Sequence, residues 1–159
     1  MIDEKDSAIE DVLNEKGFVA AHPKGWSMRP FLREGDTVFL FKTDGNDVKE
    51  WDCVLFTRSD GVKVLHRAIK ILPDRIITRG DYEKHFDAPV PKSKVLAVMR
   101  EYYRGDKPVS VSDPKYIKRT RRWNGKGRSF RLFCYRTYAK AADLFLRAWH
   151  KVFSKSAKI

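Results

Sequence analysis

Apolar and polar positions change rhythm along the chain. Between residues 3 and 16, Ile9, Val12 and Leu13 recur at helical spacing and Gly17 follows as a stop, so a short helix is expected there. From residue 37 to about 103 the rhythm shortens. Apolar runs predict strands at 37–41, 52–57, 62–72, 75–79 and 94–103, separated by Asp44-Gly45-Asn46-Asp47, Ser59-Asp60-Gly61 and similar breaks. Several short strands of this kind predict a mainly β (α+β) fold built on a coiled antiparallel sheet or half-barrel. Residues 104–128 contain Gly105, Pro108, Pro114, Gly125, Gly127 and the run Lys118-Arg119-Thr120-Arg121-Arg122, and read as a basic linker, partly extended. The rhythm becomes helical again from Ser129 to Phe153. Arg136, Lys140, Asp143, Arg147 and Lys151 fall on one face, and Cys134, Tyr138, Ala141, Phe145, Trp149 and Val152 fall opposite. The domain reading is therefore a domain over 1–103 with its core in 20–100, a basic linker over 104–128, and an amphipathic helical tail over 129–159.

Charge changes this picture at the C-terminus. The net charge is +12, yet residues 1–100 hold 17 Lys and Arg against 17 Asp and Glu, and residues 101–159 hold 16 against 4. The whole excess lies in the last 59 residues, which therefore suit something acidic: a lipid surface, nucleic acid or a partner protein. The aromatic residues of the tail lie on its apolar face and are not interleaved with the basic one. That favours lipid or protein over nucleic acid. Met1 to Asp11 is acidic with no apolar run, so no secretory signal is expected, and no stretch nears the ~20 apolar residues of a membrane span. Cys53 and Cys134 stand too far apart for a zinc or redox motif, which points to a reducing, cytoplasmic compartment.

The stretch with most chemical content is Gly25-Trp26-Ser27-Met28-Arg29-Pro30-Phe31-Leu32-Arg33-Glu34-Gly35-Asp36. Pro30 has a fixed φ and keeps Arg29 out of the helical region, while Gly25 permits backbone shapes closed to other residues. Ser27 thus sits in a stiff turn with Met28 as its apolar anchor, a suitable setting for a nucleophile once a base takes its proton. His66 is the candidate base, because an imidazole titrates near neutrality. It lies in a strand-like run where Val62, Val64, His66 and Ala68 share one face and Lys63, Leu65, Arg67 and Ile69 the other. Lys63, the nearest lysine, should point away from wherever His66 points. His85 is a spare candidate, and His22 and His150 are read as incidental. Trp26 either walls a cleft beside Ser27 or covers core. Asp81 and Asp87 compete to orient the base. No metal or organic cofactor is called for.

Ser27-Met28-x-Pro30-x-Leu32-x-x-Gly35-Asp36, followed by Val64-Leu65-His66-Arg67-Ala68-Ile69 and by Thr78-Arg79-Gly80-Asp81 through Asp87, resembles the ordered boxes of the signal-peptidase and LexA-like serine peptidases. The histidine marks the endoplasmic-reticulum-type variant, here in a form without a membrane anchor. The resemblance covers roughly residues 20–100. It implies a fold of several curled sheets and a Ser27-His66-Asp87 mechanism with Asp81, Gly25, Met28 and Pro30 in support. It further implies an oxyanion donor from the Ser27 backbone and an extended peptide substrate bearing small side chains at the cleavage point. The substrate would be an exported preprotein, or the leader segment of a small ribosomally made peptide. Two other readings stay open: a catalytically lapsed module, or a self-cleaving regulator, using the basic tail on nucleic acid or anionic membrane. Self-cleavage needs a small-residue pair in an exposed loop, and Ala20-Ala21 is the clear instance.

Overall fold

The computed structural model describes residues 6–156. Helix α1 (Asp6–Lys16) buries Ile9 and Leu13, and it ends where the Gly17 N–H closes on the Leu13 carbonyl at 3.0 Å with Gly17 at φ +75°. Residues 3–5 of the expected helix lie outside the described residues. The strands are β1 (Phe18–Ala21), β2 (Thr37–Lys42), β3 (Cys53–Thr57), β4 (Lys63–Ile71), β5 (Arg75–Arg79), β6 (Val90–Pro91), β7 (Val95–Arg104) and β8 (Lys107–Ser110). They form one antiparallel sheet in the order β1-β2-β7-β3-β4-β5-β6, with β8 also against β7. The five strands expected from alternation are all present. The short strands β1, β6 and β8 were not expected, because four residues or fewer carry too little alternation to be read.

Alternation decides what each face of the sheet buries. Val54 and Phe56 of β3, Val64 and Ala68 of β4, Ile76 of β5 and Val98 of β7 form one buried cluster. Cys53, Leu55, Leu65 and Arg67 alternate with them and are buried too. A central strand pair covered on both faces reads as a continuous apolar run, and 53–56 is one. Register shifts at Phe39/Leu40, Leu55/Phe56 and Ala68/Lys70 mark bulges, which bend strands and curl the sheet. The small pair Ala20-Ala21 lies in β1, in register with Phe39 and Val38, so it is part of a ladder and not of an exposed loop.

The expected linker over 104–128 is a correction. It contains β8 and a second helix, α2 (Pro114–Asn124). The start of α2 is regular: Asp113 accepts the Lys115 N–H on Oδ1 at 2.6 Å, and Pro114 occupies the first helical position. Runs of Lys and Arg do not oppose a helix, and the Ser112-Asp113-Pro114 start signal outweighs them. The first compact unit accordingly ends at Arg121 and not at residue 103. In the second unit, helix α3 (Arg128–Ser156) follows a turn in which Arg131 donates to the carbonyls of Trp123 (3.3 Å), Gly125 (3.1 Å) and Lys126 (2.8 Å). Trp123 meets Tyr135 edge-on. Residues 157–159 of the expected tail, and the side chains of Lys151 and Val152, lie outside the described residues. No described helix is long and apolar enough to cross a membrane.

Candidate active site

The loop between β1 and β2 carries Ser27 in a tight turn. Arg29 N–H donates to the Trp26 carbonyl, and Phe31 and Leu32 N–H both donate to the Met28 carbonyl, each at 3.0 Å. Met28, Phe31 and Leu32 are buried and pin the turn to the sheet, whereas Ser27 is half-buried at its rim. Gly25 holds φ +83°, and its N–H donates to Glu34 at 3.1 Å. The Arg29–Pro30 bond is cis. Trp26 is exposed with the Arg29 guanidinium 3.9 Å above its ring, so it does not cover core. Asp36 closes the loop: buried at 2% exposure, it takes a bidentate pair from Arg104 (2.9 and 2.7 Å) and the Arg33 N–H (2.8 Å). Arg104 also donates to the Phe31 carbonyl at 2.8 Å.

His66 lies on β4 opposite Val54, and Lys63 opposite Thr57, with no bulge between them. Their faces therefore differ. Lys63 is buried and its Nζ pairs with Glu10 of α1 at 3.0 Å. His66 turns instead to a groove of about 370 Å³ lined by Ser27, Val62, Val64, Phe86 and Asp87, with His85 on its wall. Of the competing aspartates, it is Asp87 that reaches it. Asp87 Oδ2 accepts from His66 Nδ1 at 2.8 Å and from the Thr78 hydroxyl at 2.7 Å. The backbone makes this contact available, since the Asp87 N–H donates to the Thr78 carbonyl at 2.9 Å and ties the loop end to β5. An ionised carboxylate only accepts, so Nδ1 carries the proton, and in the neutral imidazole the lone pair is then on Nε2. Burial raises the Asp87 pKa. The hydrogen bond and charge of His66, the Thr78 hydroxyl and Arg58 outweigh it, and the net position is below the ordinary carboxylate range.

Gly80 lets Ser27 and His66 approach one point. A Cβ there would stand 2.6 Å from the Ser27 carbonyl oxygen and 3.1 Å from His66 Nε2. No side chain fits, and both groups crowd the same point. The Tyr82 N–H then donates to the Ser27 carbonyl at 2.8 Å, which ties the 80–87 loop to the turn that carries Ser27. The Ser27 N–H itself makes no hydrogen bond among the described residues.

Asp81 is fully buried and faces away from His66 toward Arg67, which is also fully buried. Arg67 Nε donates to both carboxylate oxygens (2.8 and 3.0 Å) and a terminal nitrogen adds a third bond at 2.6 Å. Burial opposes the Arg67 charge, but Asp81 more than restores it. The remaining donors reach the Trp51 carbonyl at 2.7 Å and the Tyr116 hydroxyl at 3.3 Å. Trp51 is the non-glycine residue at positive φ (78°) among those described, a placement that costs of order 1–3 kcal/mol and aims its carbonyl at Arg67. Cys53 touches the same Tyr116 hydroxyl. Burial pushes its thiol up to about 11, so it is no rival nucleophile.

Of the residues singled out in the sequence, Ser27, His66 and Asp87 come together at one groove, and Thr78, Arg67, Arg104 and Tyr116, which were not singled out, brace them. For Thr78 the signal was its place just ahead of Gly80-Asp81. For Tyr116 none existed, because its partners lie 49 and 63 residues away. No family model, curated protein or solved structure matches the chain.

Proposed function

We propose that the protein is a serine endopeptidase of the signal-peptidase and LexA-like kind, acting through Ser27, His66 and Asp87. The observation that carries this reading is the His66 Nδ1–Asp87 Oδ2 bond of 2.8 Å in a groove that Ser27 also lines. With Nδ1 held by Asp87, the free Nε2 takes the Ser27 hydroxyl proton as the oxygen attacks the scissile carbonyl. The Ser27 N–H receives the developing oxyanion. His66 next protonates the departing amine, and water admitted by the same base releases the acyl group from Ser27.

The substrate is an extended peptide. In β4, residues 63–66 pair with β3 on one side, while β5 begins its pairing only at Arg67. The other side of that segment has no strand partner among the described residues, and it borders the groove. Strand addition there would carry a peptide past Ser27. A preprotein or the leader of a small ribosomal peptide meets this requirement, and a reducing, cytoplasmic setting suits the two separate thiols.

The test is labelling with a fluorophosphonate probe, read by mass spectrometry of the peptide containing Ser27. Modification at Ser27 that disappears in His66→Ala is the expected result. Labelling elsewhere, or labelling at Ser27 that is indifferent to His66, would remove the mechanism.

A further inference from the structure

Helix α3 presents an apolar stripe that nothing in the peptidase reading uses. At 3.6 residues per turn, Phe130, Phe133, Tyr138, Leu144, Phe145 and Trp149 fall along one side of the helix. Every one is more than half exposed, from 52% at Trp149 to 72% at Tyr138. Scattered apolar residues are normal on a surface, but a continuous stripe of large ones marks an interaction face. Arg136, Lys140 and Arg147 run along one border of the stripe.

Charge selects the occupant. The helix holds seven Lys and Arg against one Asp, and that Asp143 is already paired with Arg147 at 2.9 Å. A second copy packed on this face would set two rows of like charge side by side, which opposes association. An anionic lipid surface answers both features at once, with acyl chains for the stripe and phosphates for its border. At 29 residues the helix could lie flat across about 43 Å of membrane surface, while it is too polar to cross. Tyr and Trp suit the headgroup boundary, and Lys and Arg reach outward from it along their alkyl stems.

We propose that α3 lies in the plane of an anionic bilayer, with the Phe130–Trp149 stripe in the headgroup–acyl boundary and Arg136, Lys140 and Arg147 on lipid phosphates. This docking is independent of the chemistry at Ser27.

The experiment is sedimentation of the full chain with phosphatidylglycerol–phosphatidylcholine vesicles and with pure phosphatidylcholine vesicles. Binding to the anionic vesicles should be at least about tenfold tighter, and should weaken as about 1 M salt shortens the Debye length to roughly 3 Å. The double variant Phe133→Glu, Phe145→Glu alters exposed positions only and should cost at least about tenfold in lipid affinity, with melting temperature and helix content kept. Lys140→Glu with Arg147→Glu leaves the stripe intact and should remove the preference for anionic lipid. Ser27→Ala should bind as the parent does, so the result stands apart from the peptidase reading. The proposal is overturned if the parent stays in the supernatant with anionic vesicles, or if the Phe variant binds unchanged. It is also overturned if the parent is a dimer that ignores vesicles and falls apart in the Phe variant.

Discussion

Residues on one strand acquire opposite duties through parity. Lys63 and His66 are three positions apart, so one pairs with Glu10 of α1 and the other faces Asp87 and the groove. Ser27→Ala and His66→Ala should each abolish peptide cleavage, while Lys63→Ala should keep most of the rate at a modest loss of stability. An active His66→Ala together with a dead Lys63→Ala would overturn the Ser-His assignment. The two aspartates divide in the same way. Asp87→Asn removes the group that sets the imidazole tautomer and should lower kcat/KM by about 10⁴-fold, the scale seen for an orienting aspartate in a serine protease, with a stability loss near 1 kcal/mol. Because the folded Asp87 pKa is lowered, its stabilising contribution is present above the ordinary carboxylate pKa and is lost as pH falls through the folded value. The gap in melting temperature between parent and Asp87→Asn should therefore close as the solution is acidified below about pH 4. Asp81→Asn leaves Arg67 charged, buried and uncompensated, at a cost of about 3–5 kcal/mol, and should lower the melting temperature by roughly 10 °C while leaving measurable activity. The reverse pattern would move the orienting role to Asp81.

Among the elements, α2 touches both halves of the site. Tyr116 meets the Phe31 ring edge-on at 5.8 Å and Arg119 stands 4.9 Å above it, so the helix bears on the turn that holds Ser27. The Tyr116 hydroxyl meanwhile contacts Arg67, and through Arg67 it supports Asp81 and the loop that ends in Asp87. Burial raises the Tyr116 pKa, so the hydroxyl stays protonated across the working range. Tyr116→Phe keeps the ring and should cost about 1 kcal/mol, or roughly 2–4 °C, with near-normal cleavage. Tyr116→Ala should cost about 3–5 kcal/mol and reduce kcat/KM along with stability, because the nucleophile turn loses its backing. Thermal melts and steady-state kinetics on the pair would decide. An alanine variant that melts and cleaves like the phenylalanine one would mean that α2 does not hold the turn.

For the whole molecule the boundary that matters is the end of the first compact unit, at Arg121. A chain cut after residue 103 loses Arg104, and with it the bidentate partner of buried Asp36, along with β8 and Tyr116. Leaving Asp36 uncompensated costs about 3–5 kcal/mol on its own, so such a chain should melt at least about 10 °C below the full chain or fail to fold. A chain cut after residue 125 keeps all of these contacts. It should melt cooperatively and retain cleavage of a soluble peptide. Equal melting temperatures for the two truncations would show that the segment from Arg104 to Asn124 is dispensable.

The strands at 37–41, 52–57, 62–72, 75–79 and 94–103 were legible because period-two alternation is local, and so were both terminal helices because their period is local too. The placement of Ser27 in a tight turn and of His66 on the opposite face from Lys63 was legible for a related reason: Met28, Pro30 and Gly35 surround one, and strand parity turns the other away from Lys63. Neither the linker nor the acid could be read this way. Residues 104–128 looked extended because their polar surface and prolines say nothing of a buried Tyr116, whose partners Arg67 and Cys53 come from β4 and β3. Asp81 and Asp87 are equivalent to any local rule, as both are loop aspartates within reach of the base. What separates them is a space that exists only in the folded chain. Arg67, on the opposite face of β4 from His66, captures Asp81 in the interior, and the Thr78 carbonyl and hydroxyl then hold Asp87 against the imidazole. Alternation along a strand is a property of neighbours in sequence, whereas the pairing of a buried charge depends on which side chains the curled sheet brings within 3 Å, and that was decided by tertiary structure alone.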